Sequence, residues 1–224
     1  MNDSPALEVL RVGHVPGVTL TKWRTRWEER ITARLEIIEV AEGDPRRVLD
    51  AGEVDLCFAR LPLERDGLHA IPLYEEVMVA WVNKDHPIAA FDEITQADLV
   101  DETVLREVDL VAIDRVNAGA VLLVPLSVAR SASRRDLRHR PVTDEPPAQM
   151  VLAWPKDRED PLIEEFIGIV RGRTANSSRT NREREARDDK PRGRKPPAPK
   201  GQAQQQQKRK PQAGRGRARS RRTR

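Results

Sequence analysis

Every aromatic side chain and every large aliphatic one lies before Arg171. Residues 171–224 contain no Phe, Trp, Tyr, Leu, Ile, Val or Met. A chain folds only where apolar burial offsets the entropy of ordering the backbone, roughly 1–2 kcal/mol per residue. The sequence therefore divides into a stretch of about 170 residues able to build a core and a stretch with nothing to put in one. Charge divides at the same point. Residues 171–224 hold 20 Lys/Arg against 4 Asp/Glu, while residues 1–170 hold 20 against 32. The net +4 of the whole chain thus conceals an acidic domain and a strongly basic tail.

The tail combines a proline-rich segment (195–199), a glutamine run (204–207) and an Arg-rich end. These compositions form no packed core, and the tail is expected to be disordered. Its cations, among them Lys208, Arg209, Lys210, Arg215, Arg217, Arg219, Arg221 and Arg222, suit a polyanion bound through counterion release, without base readout. The alternatives are a solubilising appendage, or a tail that folds back on the acidic domain.

In the first 170 residues the periodicities alternate. Residues 7–13 read as a strand. Leu20, Trp23, Trp27 and Ile31 recur at helical spacing, with Thr19 or Thr21 available as cap. Residues 35–40 read as a second strand, Asp44-Pro45 as a helix start, and residues 54–59 as a buried third strand. This β-α-β-α-β order predicts an open α/β sheet with covering helices. Further on, residues 68–73, 77–82, 120–124 and 151–154 read as strands, and 139–142 as extended. Helices are expected over 95–99, 108–118 and 127–133, with a last one opened by Asp160-Pro161.

Several functional classes lack their signatures. His14, His69, His86 and His139 are scattered without metal-ligand spacing, so no metal or cofactor is expected. Ser127 has no nucleophile-elbow glycines around it. Cys57, the single cysteine, sits mid-strand like an inert buried thiol. No dinucleotide or phosphate-loop motif occurs, and an enzyme is not expected. Residues 1–8 carry no basic, apolar leader, and no apolar run approaches the roughly 20 residues of a membrane span. The expectation is a cytoplasmic protein without membrane contact.

Several segments, in this order, resemble the effector-binding (substrate-binding) domain of LysR-type transcriptional regulators. They are Leu10-Arg11-Val12-Gly13, Gly52-Glu53-Val54-Asp55-Leu56, the run from Gly67-Leu68 through Pro72-Leu73 to Glu76, His86-Pro87 with Thr95 to Leu99, and Asn117 to Pro125. The resemblance implies two Rossmann-like lobes of periplasmic-binding-protein type joined by two crossing strands, with a small effector in the cleft. Lobe I would be residues 8–76 and 143–171, lobe II residues 77–142, and the tail 172–224. It also implies a homodimer, for which the Trp23/Trp27 face is one candidate surface and core packing the blander alternative. The family's DNA-reading winged helix-turn-helix is expected to be absent, and lobe II to be shortened by a strand between Leu99 and Val108. A small anionic metabolite would be held by Thr19 at a helix start, by Arg60 after the third strand, and by the backbone around Gly119 in lobe II. The plainer alternatives are a capping Thr19, a surface Arg60 and a tight turn at Gly119.

Overall fold

The computed structural model describes residues 8–109 and 111–173. The tail cations expected to meet a polyanion, from Lys208 to Arg222, lie outside the described residues.

Strand β1 (Val9–His14) pairs in parallel with β2 (Arg34–Glu39) and with β3 (Leu56–Arg60). Beyond β3 the sheet turns antiparallel, through β9 (Ala148–Pro155) to β4 (Leu68–Glu76). The order is β2-β1-β3-β9-β4. Strand β3 is buried along its whole length because it is central and covered on both faces. Alternation sorts its side chains. Leu56 and Phe58 join Leu10, Val12, Met150 and Leu152 under helices α1 (Thr21–Glu28) and α5 (Pro161–Val170). Cys57 faces the other way, with Val48 and Leu49 of α2 (Pro45–Asp50). Strand β4 runs three residues past its expected end at 73 and carries a bulge between Pro72 and Tyr74. Pro72 is tolerated there because β4 is the edge of the sheet.

The second sheet has the order β6-β7-β5-β8. Its strands are β5 (Met78–Asn83), β6 (Val104–Leu105), β7 (Val121–Pro125) and β8 (Leu137–Pro141). Helices α3 (Ala112–Asn117) and α4 (Leu126–Ser131) cover one face, over Val79, Trp81, Leu122 and Val124. Two 3-10 turns, Pro87–Ala90 and Gln96–Leu99, cover the other. The strand expected to be missing between Leu99 and Val108 is present as the two residues of β6, parallel to β7. The helix expected from 108 starts only at Ala112.

Cap chemistry is read correctly at some ends and not at others. Asp160 accepts from the Leu162 amide at 2.8 Å and opens α5. The Asp98 carboxylate accepts from both the amide and the hydroxyl of Thr95 at 2.8 Å and closes the turn over 96–99. Neither Thr19 nor Thr21 caps α1. Leu20 occupies the cap position, and the helix starts through its carbonyl, which accepts from Trp23 and Arg24. Asp44 stands at the cap of α2, but its carboxylate turns to Arg47 at 3.1 Å.

The tryptophan pair faces the core. Trp27 is buried and its indole donates to the Ala33 carbonyl at 2.7 Å. Trp23 stacks on Phe58 with centroids 4.8 Å apart, and Phe58 meets Phe166 edge-on at 6.2 Å. Phe58 is thus the ring on which α1, α5 and the sheet converge. Phe58→Ala should lower unfolding free energy by about 3–5 kcal/mol, the usual cost of deleting a buried aromatic. Urea denaturation followed by tryptophan fluorescence would measure it.

Candidate functional site

Arg60 is the last residue of β3, at the C-terminal end of the parallel strands, where open α/β sheets gather ligand groups. Its side chain is 5% exposed, so the surface alternative is ruled out. Four partners hold the guanidinium. Nε donates to Glu76 Oε2 at 2.6 Å and Nη1 to Glu42 Oε2 at 2.7 Å. Nη2 donates to the Pro16 carbonyl at 2.9 Å and to Ser127 Oγ at 3.0 Å. Pro16 follows β1, Glu42 follows β2, and Glu76 ends β4, so three connections of the first sheet meet at one cation. Ser127 belongs to α4 of the second sheet.

Gly17 makes the same junction at closer range. A Cβ there would stand 2.7 Å from Ser127 Oγ and 2.8 Å from the Val128 amide nitrogen, and φ is +85°. No side chain fits. Only glycine permits both this backbone conformation and this approach. The loop after β1 is fixed in turn by Val15, whose amide donates to the Phe58 carbonyl at 3.1 Å.

Electrostatically, one guanidinium is matched by two carboxylates, leaving the cluster net negative. The Glu76 side chain is 7% exposed and that of Glu42 is 52% exposed. Burial pushes the Glu42 carboxyl above its ordinary value, and Arg60 only partly opposes this. The carboxylates reach the neighbouring groups. The Cys57 thiol is pushed up to about 12, chiefly by burial and secondly by Glu42. Tyr74 is raised by burial and then by Glu76. A thiol so held is inert at neutral pH.

Of the three residues expected at an effector site, the structure puts only Arg60 in the junction. Thr19 is exposed beside the start of α1, two residues beyond Gly17. Gly119 lies at the opposite end of β7 from Ser127, separated by about 17 Å of strand at roughly 3.4 Å per residue. Its φ of +104° serves a tight turn, in which its amide donates to the Val116 carbonyl at 3.1 Å. The anion expected on Arg60 is met instead by Glu42 and Glu76. Glu42, Glu76, Pro16 and Ser127 were not among the expected residues. No local pattern around any of the four marks it as a partner of Arg60.

Two sheets, a mixed one built from both halves of the chain and a smaller one inserted between them, define an α/β architecture of periplasmic-binding-protein type. More specifically, residues 19–110 match the family described as LysR substrate binding domain, and the fold is that of LysR effector-binding domains. Among solved structures, the BenM effector binding domain with its effector benzoate superposes with a TM-score of 0.61 at 19% identity, covering 77% of this chain and 95% of that one. Among curated relatives, the HTH-type transcriptional regulator MetR of Salmonella typhimurium is 31% identical over 86 residues, 38% of this chain and 26% of MetR. AlsR of Bacillus subtilis, another HTH-type transcriptional regulator, is 25% identical over 169 residues, 62% of this chain and 56% of AlsR. The chain therefore spans between about a quarter and just over half the length of these relatives. No helix among the described residues is long and apolar enough to cross a membrane.

The two carboxylates should behave differently. Glu76→Ala strands a buried cation and should cost about 3–5 kcal/mol. Glu42→Gln should cost nothing at neutral pH or stabilise by up to about 1 kcal/mol, because Glu42 is half in water and burial already disfavours its charged form. Both are read from urea midpoints. The raised Glu42 pKa also sets a pH dependence. Above its ordinary value of 4.5 the folded state holds this proton longer than the unfolded state. Stability contributed by this group should therefore be greatest below about 4.5 and fall as pH rises through the higher folded pKa. Subtracting the Glu42→Gln stability profile from that of the parent protein should show that fall.

Proposed function

We propose that this domain is the small-molecule sensor of a transcription-related regulator, acting in the cytoplasm, and that its effector is a small anion read at the Arg60 junction. On this reading residues 8–76 and 143–171 move as one lobe and residues 77–142 as the other, in a homodimer whose partner contact responds to closure. The observation that carries the reading is the hydrogen bond from Arg60 of the first sheet to Ser127 of the second. A guanidinium so placed couples occupancy of the site to the relation between the two sheets. The BenM effector binding domain has been solved with its effector benzoate, a monocarboxylate. A carboxylate reaching Arg60 here has to replace one already present. Glu42 is the replaceable one, since it is half-exposed and its ionised form is disfavoured by burial. Thr19, exposed at the start of α1, would lie along the approach. Gly119 would take no part, being at the far end of β7.

Binding of this kind shifts a population between arrangements of the lobes, by no more than the ligand's differential affinity for them. Thermal shift with a panel of small carboxylates, benzoate included, tests the proposal. A ligand at about 100 times its Kd adds about 2.7 kcal/mol of stability, a shift of several degrees. Glu42→Gln should bind the same ligand several-fold more tightly, because the internal competitor loses its charge. A folded protein indifferent to the entire panel, or a Glu42→Gln variant that binds no better, would show the reading to be wrong.

A further inference from the structure

Residues 1–170 hold 20 basic and 32 acidic groups, yet residues 130–140 hold Arg130, Arg134, Arg135, Arg138 and Arg140 against Asp136 alone. The fold gathers them on α4, the loop after it and β8. We propose that this arginine rim of the second sheet is a docking surface for the phosphate backbone of a nucleic acid duplex.

Most of the rim's charge is uncompensated. Arg134 is neutralised, with its Nε and Nη2 on the Asp136 carboxylate at 3.1 and 3.0 Å. Arg138 donates to the carbonyls of Arg135 and Leu137, and Arg140 to those of His139 and Ala89. Carbonyls satisfy donors without removing charge. Arg130 and Arg135 are exposed and make no side-chain bond among the described residues. Exposed Lys84 adjoins them, its amide donating to the Asp136 carbonyl at 2.8 Å. The field is felt at His139, whose imidazole is held below its ordinary value by burial and then by Arg130 and Arg140.

Two features choose the partner. First, the surface does not suit an added peptide strand. β8 is an edge, but the even-numbered residues face β5, as the bonds of Lys84 to Asp136 and of Val142 to Met78 show. The outward carbonyls are those of Leu137, His139 and Pro141. Arg138, Arg140 and the Ile94 amide already hold them, so the edge is blunted. Second, none of the exposed large hydrophobic residues, such as Phe91 and Val100, falls within residues 126–141. A protein partner needs an apolar centre to its contact. Phosphates need only cations, and guanidinium forks bind them in pairs of hydrogen bonds.

The test uses the full chain and an Arg130→Gln/Arg135→Gln variant, whose fold is verified by its thermal midpoint. Binding of a short fluorescent duplex is followed by anisotropy over a range of KCl concentrations. Each lost phosphate contact lowers the slope of log affinity against log salt by about 0.9, so the variant should be shallower by about two and bind several-fold more weakly. The imidazole resonance of His139, assigned through His139→Gln, supplies a reading local to the rim. Its pKa should rise when duplex is added to the parent protein. Equal slopes for parent and variant overturn the proposal, as does a His139 resonance that stays still while duplex binds, which would place the contact elsewhere in the chain. A polyglutamate chain that moves the resonance as far as duplex does would also overturn it, since the rim would then answer to charge alone.

Discussion

The arrangement of the described residues turns on one buried cation. A guanidinium taken out of water is costly unless its donors are satisfied and its charge is opposed. Arg60 meets both demands by drawing in the ends of β1, β2 and β4 and the start of α4. The apolar cores do not do this. The main core of the first sheet, built on Phe58, Trp27 and Phe166, lies on one side, and the core of the second, built on Trp81, Leu122 and Val128, lies on the other. Each would hold its own sheet. The polar junction adds direction, because hydrogen bonds to Pro16 and Ser127 fix an angle that dispersion does not.

This division explains what was legible in the sequence. Patterns of burial repeat and can be counted, so β1, β3, β7, β9 and α5 were visible from spacing and turn residues. The helix start at Asp160 was visible because a cap is a local event within three residues. Glu76 was not legible as a buried group. Its side chain points inward only after the bulge near Leu73, and no local signal marks a register shift. Ser127 was weighed as a nucleophile because its immediate neighbours are all that a sequence displays. Its actual partner is Arg60, 67 positions away. Thr19 was drawn to the helix start by its type, yet the backbone of Leu20 serves there instead.

The edge strands show why a short element can matter. β6 has two residues and was missed because so brief a run has no period to detect. It nonetheless covers the open side of β7, whose residues are buried from Val121 to Val124. β8 meets the same edge problem differently. Arg138 and Arg140 fold back along their own strand onto its outward carbonyls. A composition-based reading sees only a cluster of cations in that stretch. The geometry divides them into residues that close an edge and residues, Arg130 and Arg135, that are left to face water.

The charge pattern at the junction bears on how a domain of this kind can respond to a ligand. If Arg60 were opposed by Glu76 alone, the pair would be neutral and buried, and an arriving anion would meet no competitor and release nothing. With Glu42 added, the cluster is over-opposed, and the second carboxylate is held where burial already disfavours its charge. On the proposed reading, exchange of Glu42 for a ligand would keep the number of hydrogen bonds on the guanidinium and return Glu42 to solvent. Glu42 shares the Arg60 guanidinium with Ser127 of α4, and Gly17 lies directly against α4, so on the proposed reading the exchange would act where the first sheet touches the second. Gly17 allows no slack there, since its backbone already lies against Ser127 and Val128. On the proposed reading, a ligand bulkier than the carboxylate it replaces would press α4 away from the loop, and binding at a single cation would become a change in the relation of two sheets.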